Sequence, residues 1–383
     1  VMALQAGDPE YAKTKALRAS EIEPEWLKPK LVYGRALMIE GNLDEAIEYV
    51  AAIIGDNPTV DPDARMELAL MYMTAGEPDY ALSQVNQVLL ERAGRTDALR
   101  MMAIINFNQG NLDAAWDDFE DLLQSGDHTT DALFYLAQIS EVRGEYDDAI
   151  QLYSRVRSGS NAIPAQRRAA QIRAWQKNEL VQALDQLTVF AKERPVHAID
   201  IMLVKAGLLA SFEQYDEALE LFDQAIEFRP NDEVLALSRG ELLLTAGRLD
   251  EAVAAYRDAA ERWPESAMTL NALGYTLADR TEEYKDAEKY IRRALKYDPE
   301  SPAIIDSLGW VLFKLGENEE ALHHLERAYE QFPDPEVAAH IVEVLAALDR
   351  EDEAMEFLVM AEEKDPESRL LKDVRERIFP DSE

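Results

Sequence analysis

Polar turns and short amphipathic stretches alternate along this chain with a regular period. Residues 41–58 read GNLDEAIEYVAAIIGDNP, a polar turn followed by acidic residues, an alanine and spaced apolar positions. The same outline returns as GRLDEAVAAYRDAAERWP and GENEEALHHLERAYEQFP. An internal repeat of this length indicates one structural unit used many times.

The alanine after the acidic residues marks each unit. Successive marker alanines are 33 to 35 residues apart over eleven units. Independent helices would not produce this regularity, so the sequence predicts a repeat protein. The marker alanines are Ala12, Ala46, Ala81, Ala115, Ala149, Ala183, Ala218, Ala252, Ala287, Ala321 and Ala354.

Glycine and proline stand at fixed distances from the marker alanine. Glycine tolerates the positive φ at a helix C-terminus, and proline cannot continue a helix. Each unit is therefore predicted to contain two helices and two turns. The turn glycines, five residues before the marker, are Gly7, Gly41, Gly76, Gly110, Gly144, Gly247 and Gly316. The prolines, twelve residues after it, are Pro24, Pro58, Pro195, Pro230, Pro264, Pro299, Pro333 and Pro366.

The period and its residue types resemble the tetratricopeptide repeat, whose signature is Trp-x2-Leu-Gly-x2-Tyr, then Ala-x3-Phe, then Pro. The resemblance covers nearly the whole chain. It implies an all-α fold, a right-handed α-solenoid of helix-turn-helix repeats. The ninth full unit matches best, with Leu308, Gly309 and Leu312 in the first helix and Ala321, Leu325, Ala328 and Pro333 in the second.

The repeat register divides the chain into three parts. Residues 1–26 match the second helix of a truncated unit, so we expect the natural chain to extend further toward the N-terminus. Residues 27–366 hold ten repeats. Residues 367–383 include ESRLLKDVRERIF, whose alternating apolar and charged positions predict a C-terminal capping helix.

A small residue in the first helix of most units would let its two helices approach closely. The fifth unit departs from this pattern, because Gln171 takes the small position and Asn178 replaces the turn glycine. We therefore expect less regular packing there. The small positions are Gly34, Ala69, Ala103, Ala137, Ala206, Gly240, Gly274 and Gly309.

Motifs of catalysis are missing from the sequence. It contains no GxxxxGK[ST], HExxH or GxSxG, and no cysteine for a thiol nucleophile, a disulfide or a zinc site. His323, His324 and His340 could in principle bind a metal, but adjacent helical residues point about 100° apart, so solvated surface histidines are the preferred interpretation. The many carboxylates are interpreted as solvent-exposed residues that keep the outer face of the repeats soluble. We predict no enzyme activity, metal or cofactor.

Charge narrows the class of partner. The chain carries 75 acidic and 39 basic residues, a net charge of −36. Such a chain repels nucleic acid and anionic lipid surfaces, so we predict a neutral or basic protein partner.

In tetratricopeptide repeats the first helices line a concave groove. Side chains just after the small position, and one turn on either side, would point into it. Aromatic residues, Met and Arg at these positions are typical of protein-binding surfaces, unless the register is off by one and some of them belong to the core. The predicted groove residues are Met38, Met66, Met73, Phe107, Phe134, Trp175, Asn271, Tyr275, Trp310 and Phe313, with Leu31, Arg35, Arg100, Ile104, Arg168, Ile172, Leu237, Leu244 and Asp306 at further groove positions.

A basic island interrupts the acidic chain. Residues 149–178 contain no Asp or Glu. The island either receives an acidic partner or another part of the same protein, or its arginines balance acidic residues of neighbouring units. It comprises Arg155, Arg157, Arg167, Arg168, Arg173 and Lys177.

The last third resembles the C-terminal repeats of a group of bacterial outer-membrane lipoproteins, the LbcA type. The resemblance rests on NALGYTLAD, DSLGWVLFKLG and FPDPEVAAH. It implies an adaptor of a periplasmic carboxyl-terminal processing serine protease, with peptidoglycan hydrolases as the protease substrates. It also implies a periplasmic chain held at the outer membrane by a lipid anchor in a missing N-terminal part. The alternatives are an assembly scaffold for polysaccharide secretion or pilus biogenesis and, in another class, an acidic enzyme.

Overall fold

The computed structural model describes residues 2–55 and 61–380, and over these residues the chain is helical, with 23 α-helices, one 3-10 turn and no β-strand. The all-α fold predicted from the repeat pattern is confirmed. Pro58, one of the prolines that stand twelve residues after a marker alanine, lies outside the described residues. No helix of the described residues combines the length and apolar composition needed to cross a membrane.

Contacts divide the chain into two compact units, Val1–Pro195 and Val196–Glu383. In unit 1 every helix packs against the next one along the chain. Its helices are α1 Met2–Gln5, α2 Pro9–Ile22, α3 Leu27–Ile39, α4 Leu43–Ile54, α5 Pro62–Thr74, α6 Pro78–Glu91, α7 Thr96–Asn108, α8 Leu112–Ser125, α9 Thr129–Val142, α10 Tyr146–Arg155, α11 Ala162–Gln176 and α12 Leu180–Glu193.

Unit 2 has the same sequential packing, and its last helix also contacts the first helix of the preceding hairpin. The 3-10 turn Pro195–His197 precedes its first helix. Its helices are α13 Ala198–Ala210, α14 Tyr215–Phe228, α15 Glu233–Thr245, α16 Leu249–Arg262, α17 Ala267–Arg280, α18 Tyr284–Tyr297, α19 Pro302–Lys314, α20 Asn318–Gln331, α21 Pro335–Ala347, α22 Glu351–Lys364 and α23 Arg369–Ile378.

Small residues sit where the two helices of a hairpin come closest. A Cβ placed on Gly309 of α19 would lie 2.6 Å from Cγ of Leu325 and 3.1 Å from the backbone oxygen of Ala321, both on α20. Gly274 of α17 is similarly close to α18, with Cγ1 of Ile291 at 2.5 Å from its ideal Cβ. Larger side chains at these positions would overpack the hairpin. The predicted role of the small positions is therefore correct.

The turn between paired helices usually needs a residue with positive φ. In three of the four units without the predicted glycine, Asn178, Glu213 and Asp349 take φ values of 56°, 59° and 57°, whereas Glu282 of the other unit has no positive φ. Few residues other than glycine adopt this region, although Asn and Asp do so more readily than most. Asn178 thus supplies the positive φ of the missing glycine in the fifth hairpin, although the turn bonds differently, with the Glu179 N–H donating to the backbone oxygen of Arg173.

Candidate functional site

An open cavity of about 740 Å3 lies along the first helices α3, α5 and α7 of unit 1. These helices belong to successive hairpins, and they present the positions that follow each small residue. The lining includes Met66 and Met73, as predicted for the groove, and Trp26 stands half exposed before α3. Its other apolar side chains are Leu27, Leu31, Val32, Leu70, Met101 and Ile104.

Two arginines of the cavity lining are held by carboxylates from the next hairpin. Nε of Arg35 donates to Oε2 of Glu67 at 3.0 Å. Nε of Arg100 donates to Oδ2 of Asp131 at 2.6 Å. In both pairs the guanidinium is more exposed than the carboxylate, at 41% against 15% and 38% against 22%. These pairs crosslink neighbouring first helices along the groove.

A third arginine joins two carboxylates at the start of the first helices. Arg95 lies 2.8 Å from Oδ1 of Asp63 and 2.8 Å from Oδ1 of Asp97. The hydrogen bond from Arg95 lowers the pKa of Asp97, although partial burial opposes it. The Arg95 side chain is only 17% exposed, whereas those of Asp63 and Asp97 are 65% and 51% exposed. We call Asp61, Asp63, Arg95 and Asp97 the acidic lip.

The cavity lining does not include Met38, Phe107, Phe134 or Trp175, which the sequence also predicts for the groove. Phe107 and Phe134 are half-buried, and both pack their rings against Tyr135 with centroids 5.2 and 5.9 Å apart. Met38 is also half-buried, with its sulfur 4.0 Å from Oγ1 of Thr74. Trp175 of α11 is 48% exposed. Part of the predicted set therefore packs against the core, in agreement with the alternative interpretation of the groove positions.

In unit 2 the side chains at the equivalent groove positions pack against neighbouring residues. Trp310 is only 4% exposed, so its predicted place on an exposed wall is wrong. The ring of His340 stacks on it at 4.0 Å, and Phe313 lies against it at 5.4 Å. The hydroxyl of Tyr275 on α17 donates to Glu336 on α21, two hairpins further along. Asn271, Tyr275 and Phe313 are half-buried.

His340 is buried, which corrects the prediction of a solvated surface histidine. Its Nδ1 lies 2.9 Å from Oδ1 of Asp306, which is also buried. Burial lowers the pKa of His340, but the hydrogen bond to Asp306 and the charges of Asp306, Glu336 and Glu343 raise it more, so the net shift is upward. Among the described residues no three His, Asp or Glu side chains form a metal-binding group.

Four of the six basic-island residues form ion pairs with acidic residues just outside the island. Arg168 donates from Nε to Oε2 of Glu141 at 2.9 Å, and Arg173 lies 2.8 Å from Glu179. The other two pairs are Arg157 with Glu193 and Lys177 with Asp147. For these four the interpretation as internal charge balance applies. Arg155 and Arg167 are exposed, and their role in binding stays a prediction.

The prediction from sequence missed the carboxylates that organise the cavity. Asp63, Asp97 and Asp131 stand one repeat apart, each near the start of a first helix, and each contacts an arginine. That spacing of 34 residues was visible in the sequence. The hydrogen bond from Tyr275 to Glu336 left a weaker signal in the sequence, because the two residues are 61 positions apart.

Stacked helical hairpins whose first helices carry a groove define a class, the helical-repeat proteins. Two models of the tetratricopeptide repeat match the chain, one over residues 100–163 and 237–303 and the other over residues 37–105, 280–339 and 312–378. Together they cover more than half of it. The chain belongs to the tetratricopeptide repeat family, whose members serve as scaffolds for protein–protein interaction.

One curated relative is the TPR repeat-containing protein PA4667 of Pseudomonas aeruginosa. It is 35% identical over 214 residues, which are 55% of this chain and 36% of the relative. The present chain thus spans little more than a third of that protein. Yeast Tom70 is a similar solved structure, with 13% identity, a TM-score of 0.46 and coverage of 90% and 93% of the two chains. PilW, a type IV pilus biogenesis factor, has 19% identity, a TM-score of 0.43 and coverage of 57% and 99%.

Proposed function

We propose that this chain is a non-catalytic adaptor that binds a periplasmic carboxyl-terminal processing protease and brings peptidoglycan hydrolases to it. The observation that carries the binding role is the cavity of about 740 Å3 on α3, α5 and α7. It has an apolar floor, methionines and ion-paired walls. Met adapts its shape to varied partners, and a concave apolar site of this size accommodates side chains of a bound protein.

The choice of partner rests on the resemblance of the last third to lipoproteins of the LbcA type. In Pseudomonas that adaptor serves the protease CtpA. The 35% identity to a Pseudomonas aeruginosa repeat protein supports the same group. The proposal includes a periplasmic location and attachment to the outer membrane through a lipid on an N-terminal segment outside this sequence.

The mechanism of such an adaptor is an increase in effective concentration. A substrate held on the same chain as the protease meets its active site without a second diffusional encounter. No bond is made or broken by the repeat itself. The net charge of −36 favours basic hydrolases as cargo, and this steering weakens as salt rises.

The test is reconstitution with purified proteins from the organism that encodes this chain. Hydrolase degradation by the processing protease is followed with no repeat chain, with the wild-type chain and with a variant carrying Leu70→Ser and Met73→Ser. Leu70 is 38% exposed and Met73 lines the cavity, so this pair alters the groove surface. We expect degradation to accelerate at least tenfold with the wild-type chain and to lose most of that gain with the variant.

A matched variant, Leu90→Ser on α6, changes a side chain that is 80% exposed and not part of the cavity. It should behave as wild type. If the repeat chain binds neither protein and leaves the rate unchanged, the adaptor proposal fails. Binding to polysaccharide-export or pilus assembly proteins instead would favour the assembly scaffold.

A further inference from the structure

The arginines of the unit 1 cavity are already occupied by carboxylates of the same chain. Arg35 is held by Glu67, Arg100 by Asp131, and Arg95 by both Asp63 and Asp97. An acidic group on a ligand would have to displace a bound carboxylate before it could pair with any of them. The exposed fractions of Arg35 and Arg100, 41% and 38%, are also smaller than those of Asp63 and Asp97, 65% and 51%, so the cavity offers less to an anionic segment than to a cationic one.

The acidic lip has the opposite character. Two carboxylates, Asp63 and Asp97, share the single guanidinium of Arg95, and Asp61 adds a third negative charge to the cavity lining. Lys28, exposed at the start of α3, is a further cation of the lining. Over the whole lining four carboxylates balance four cations, so the character of the lip depends on which charges are exposed. Because the carboxylates of Asp63 and Asp97 are far more exposed than the guanidinium, they are available to a positive group from outside.

The cavity floor directly beside the lip is apolar. Met66, Leu70 and Met73 come from α5, Leu31 from α3 and Ile104 from α7. A bound segment that covers these side chains removes apolar surface from water, which is the main favourable contribution to most associations. A segment without large apolar residues would leave this contribution unused.

We infer that the unit 1 cavity takes a segment of a partner protein in which lysine or arginine stands next to large apolar residues. The cation pairs with Asp61, Asp63 or Asp97 while the apolar side chains cover the floor between Leu31 and Ile104. This inference rests on the proposed function and specifies the partner chemistry of the same site. The net charge of −36 adds long-range attraction for such a segment.

The test uses three fluorescein-labelled peptides of 12 residues, built from repeated Lys-Leu-Leu, Glu-Leu-Leu and Lys-Ser-Ser units. Binding to the full chain is measured by fluorescence anisotropy at 50 and 200 mM salt. We expect the Lys-Leu-Leu peptide to bind at least tenfold more tightly than either of the others. Its affinity should fall as salt rises, because its ionic contacts lie at the surface.

Two pairs of variants locate the binding. Asp63→Asn with Asp97→Asn removes two lip charges, while Glu227→Gln with Glu261→Gln removes two exposed charges in unit 2 and changes the net charge equally. Only the first pair should weaken binding of Lys-Leu-Leu, by about tenfold. Leu70→Ser with Met73→Ser should weaken it similarly, whereas Leu90→Ser should not. Circular dichroism and thermal unfolding verify that each variant is folded.

The outcomes separate this inference from the proposed function. If Glu-Leu-Leu binds as tightly as Lys-Leu-Leu and the Leu70 and Met73 variant weakens both, the cavity binds protein segments but the cationic preference is wrong. If Lys-Ser-Ser binds as tightly as Lys-Leu-Leu, or if the two charge-removal variants have equal effects, attraction is non-specific and the inference is overturned. If none of the peptides binds, the cavity is not a site for this chemistry, whatever the reconstituted protease assay shows.

Discussion

The imidazole of His340 stacks on the indole of Trp310 with ring centroids 4.0 Å apart and planes inclined by 19°. The two rings belong to neighbouring first helices, α21 and α19. Nζ of Lys314 lies 4.1 Å from the centroid of the same indole. This stack, together with the hydrogen bond from Tyr275 to Glu336, covers the groove position that unit 1 leaves open.

His340→Gln should destabilise unit 2 in a way that depends on pH. Because the folded-state pKa of His340 is raised, its protonation stabilises the fold. That contribution is fully present below the unfolded pKa of about 6.5 and is lost as pH rises through the folded value. A hydrogen bond to a charged group contributes about 1.5–3 kcal/mol. Urea unfolding, monitored by tryptophan fluorescence, should show that the free energy of unfolding of the variant falls furthest below that of the wild type near pH 5.

The control for this experiment is His323→Gln, which changes an exposed histidine on α20. The free energy of unfolding of this control variant should stay close to that of the wild type across the same range of pH. A difference for His340→Gln that grows from pH 5 to pH 9 would contradict the assignment of His340 as a protonated partner of Asp306.

Gly309→Ala should destabilise the hairpin of α19 and α20. The new Cβ would meet Cγ of Leu325 at 2.6 Å, and overpacking costs about 1–3 kcal/mol, against a gain of roughly 1 kcal/mol in helix propensity. Gly207→Ala is the matched change, because no atom lies within 4 Å of its added Cβ. It should stabilise the protein by about 0.5–1 kcal/mol. Thermal unfolding of both variants decides whether close approach or propensity dominates.

The ion pair of Arg168 and Glu141 should stabilise the fold measurably. Glu141 is 17% exposed, and it accepts hydrogen bonds from Arg168 and from the hydroxyl of Tyr153, which is 3.1 Å away. A double-mutant cycle of Glu141→Gln and Arg168→Gln should give a coupling energy of about 0.5–1 kcal/mol, reduced by the exposure of Arg168. The equivalent cycle for Lys289 and Asp286, both largely exposed, should give no measurable coupling. Equal couplings would mean that Arg168 is not held internally.

Asp118→Asn on α8 should stabilise unit 1 at neutral pH. Burial raises the pKa of Asp118, as do Asp121 and Asp117, while the hydrogen bond from Asn106 lowers it less. With a raised folded pKa, the stability that Asp118 contributes is present in full only below its unfolded pKa and is lost as pH rises. The advantage of Asn at this position should therefore be largest near pH 7 and should shrink toward pH 4. Glu120→Gln, an exposed change on the same helix, should lack this trend.

The fold could be predicted because its signals are local. The turn glycines, the small positions and the marker alanines each act within one hairpin, and Ala46, Ala81 and Ala115 are fully buried as such contacts require. Even where the glycine is missing, at position 178, Asn178 adopts the same left-handed conformation. Repetition then makes a weak local signal strong.

Whether a groove position is open or buried could not be predicted in the same way. Met66 and Trp310 occupy groove positions of their hairpins, yet one lines a cavity and the other is buried. The difference depends on contacts between hairpins, such as Tyr275 with Glu336 and Asp306 with His340. Likewise, Arg157 belongs to a run of positive charge in the sequence, but Glu193 neutralises it in space.

The close approach at Gly309 has an evolutionary consequence. The position itself has little room for substitution, whereas the residue directly after it differs widely in size and charge from hairpin to hairpin. In this chain the residue after the small position is an arginine, a leucine, an isoleucine, a tyrosine or a tryptophan, and the hairpin forms in each case. Duplicated repeats can therefore inherit their architecture unchanged while their specificity diverges. The residues in question are Arg35, Leu70, Ile104, Tyr275 and Trp310.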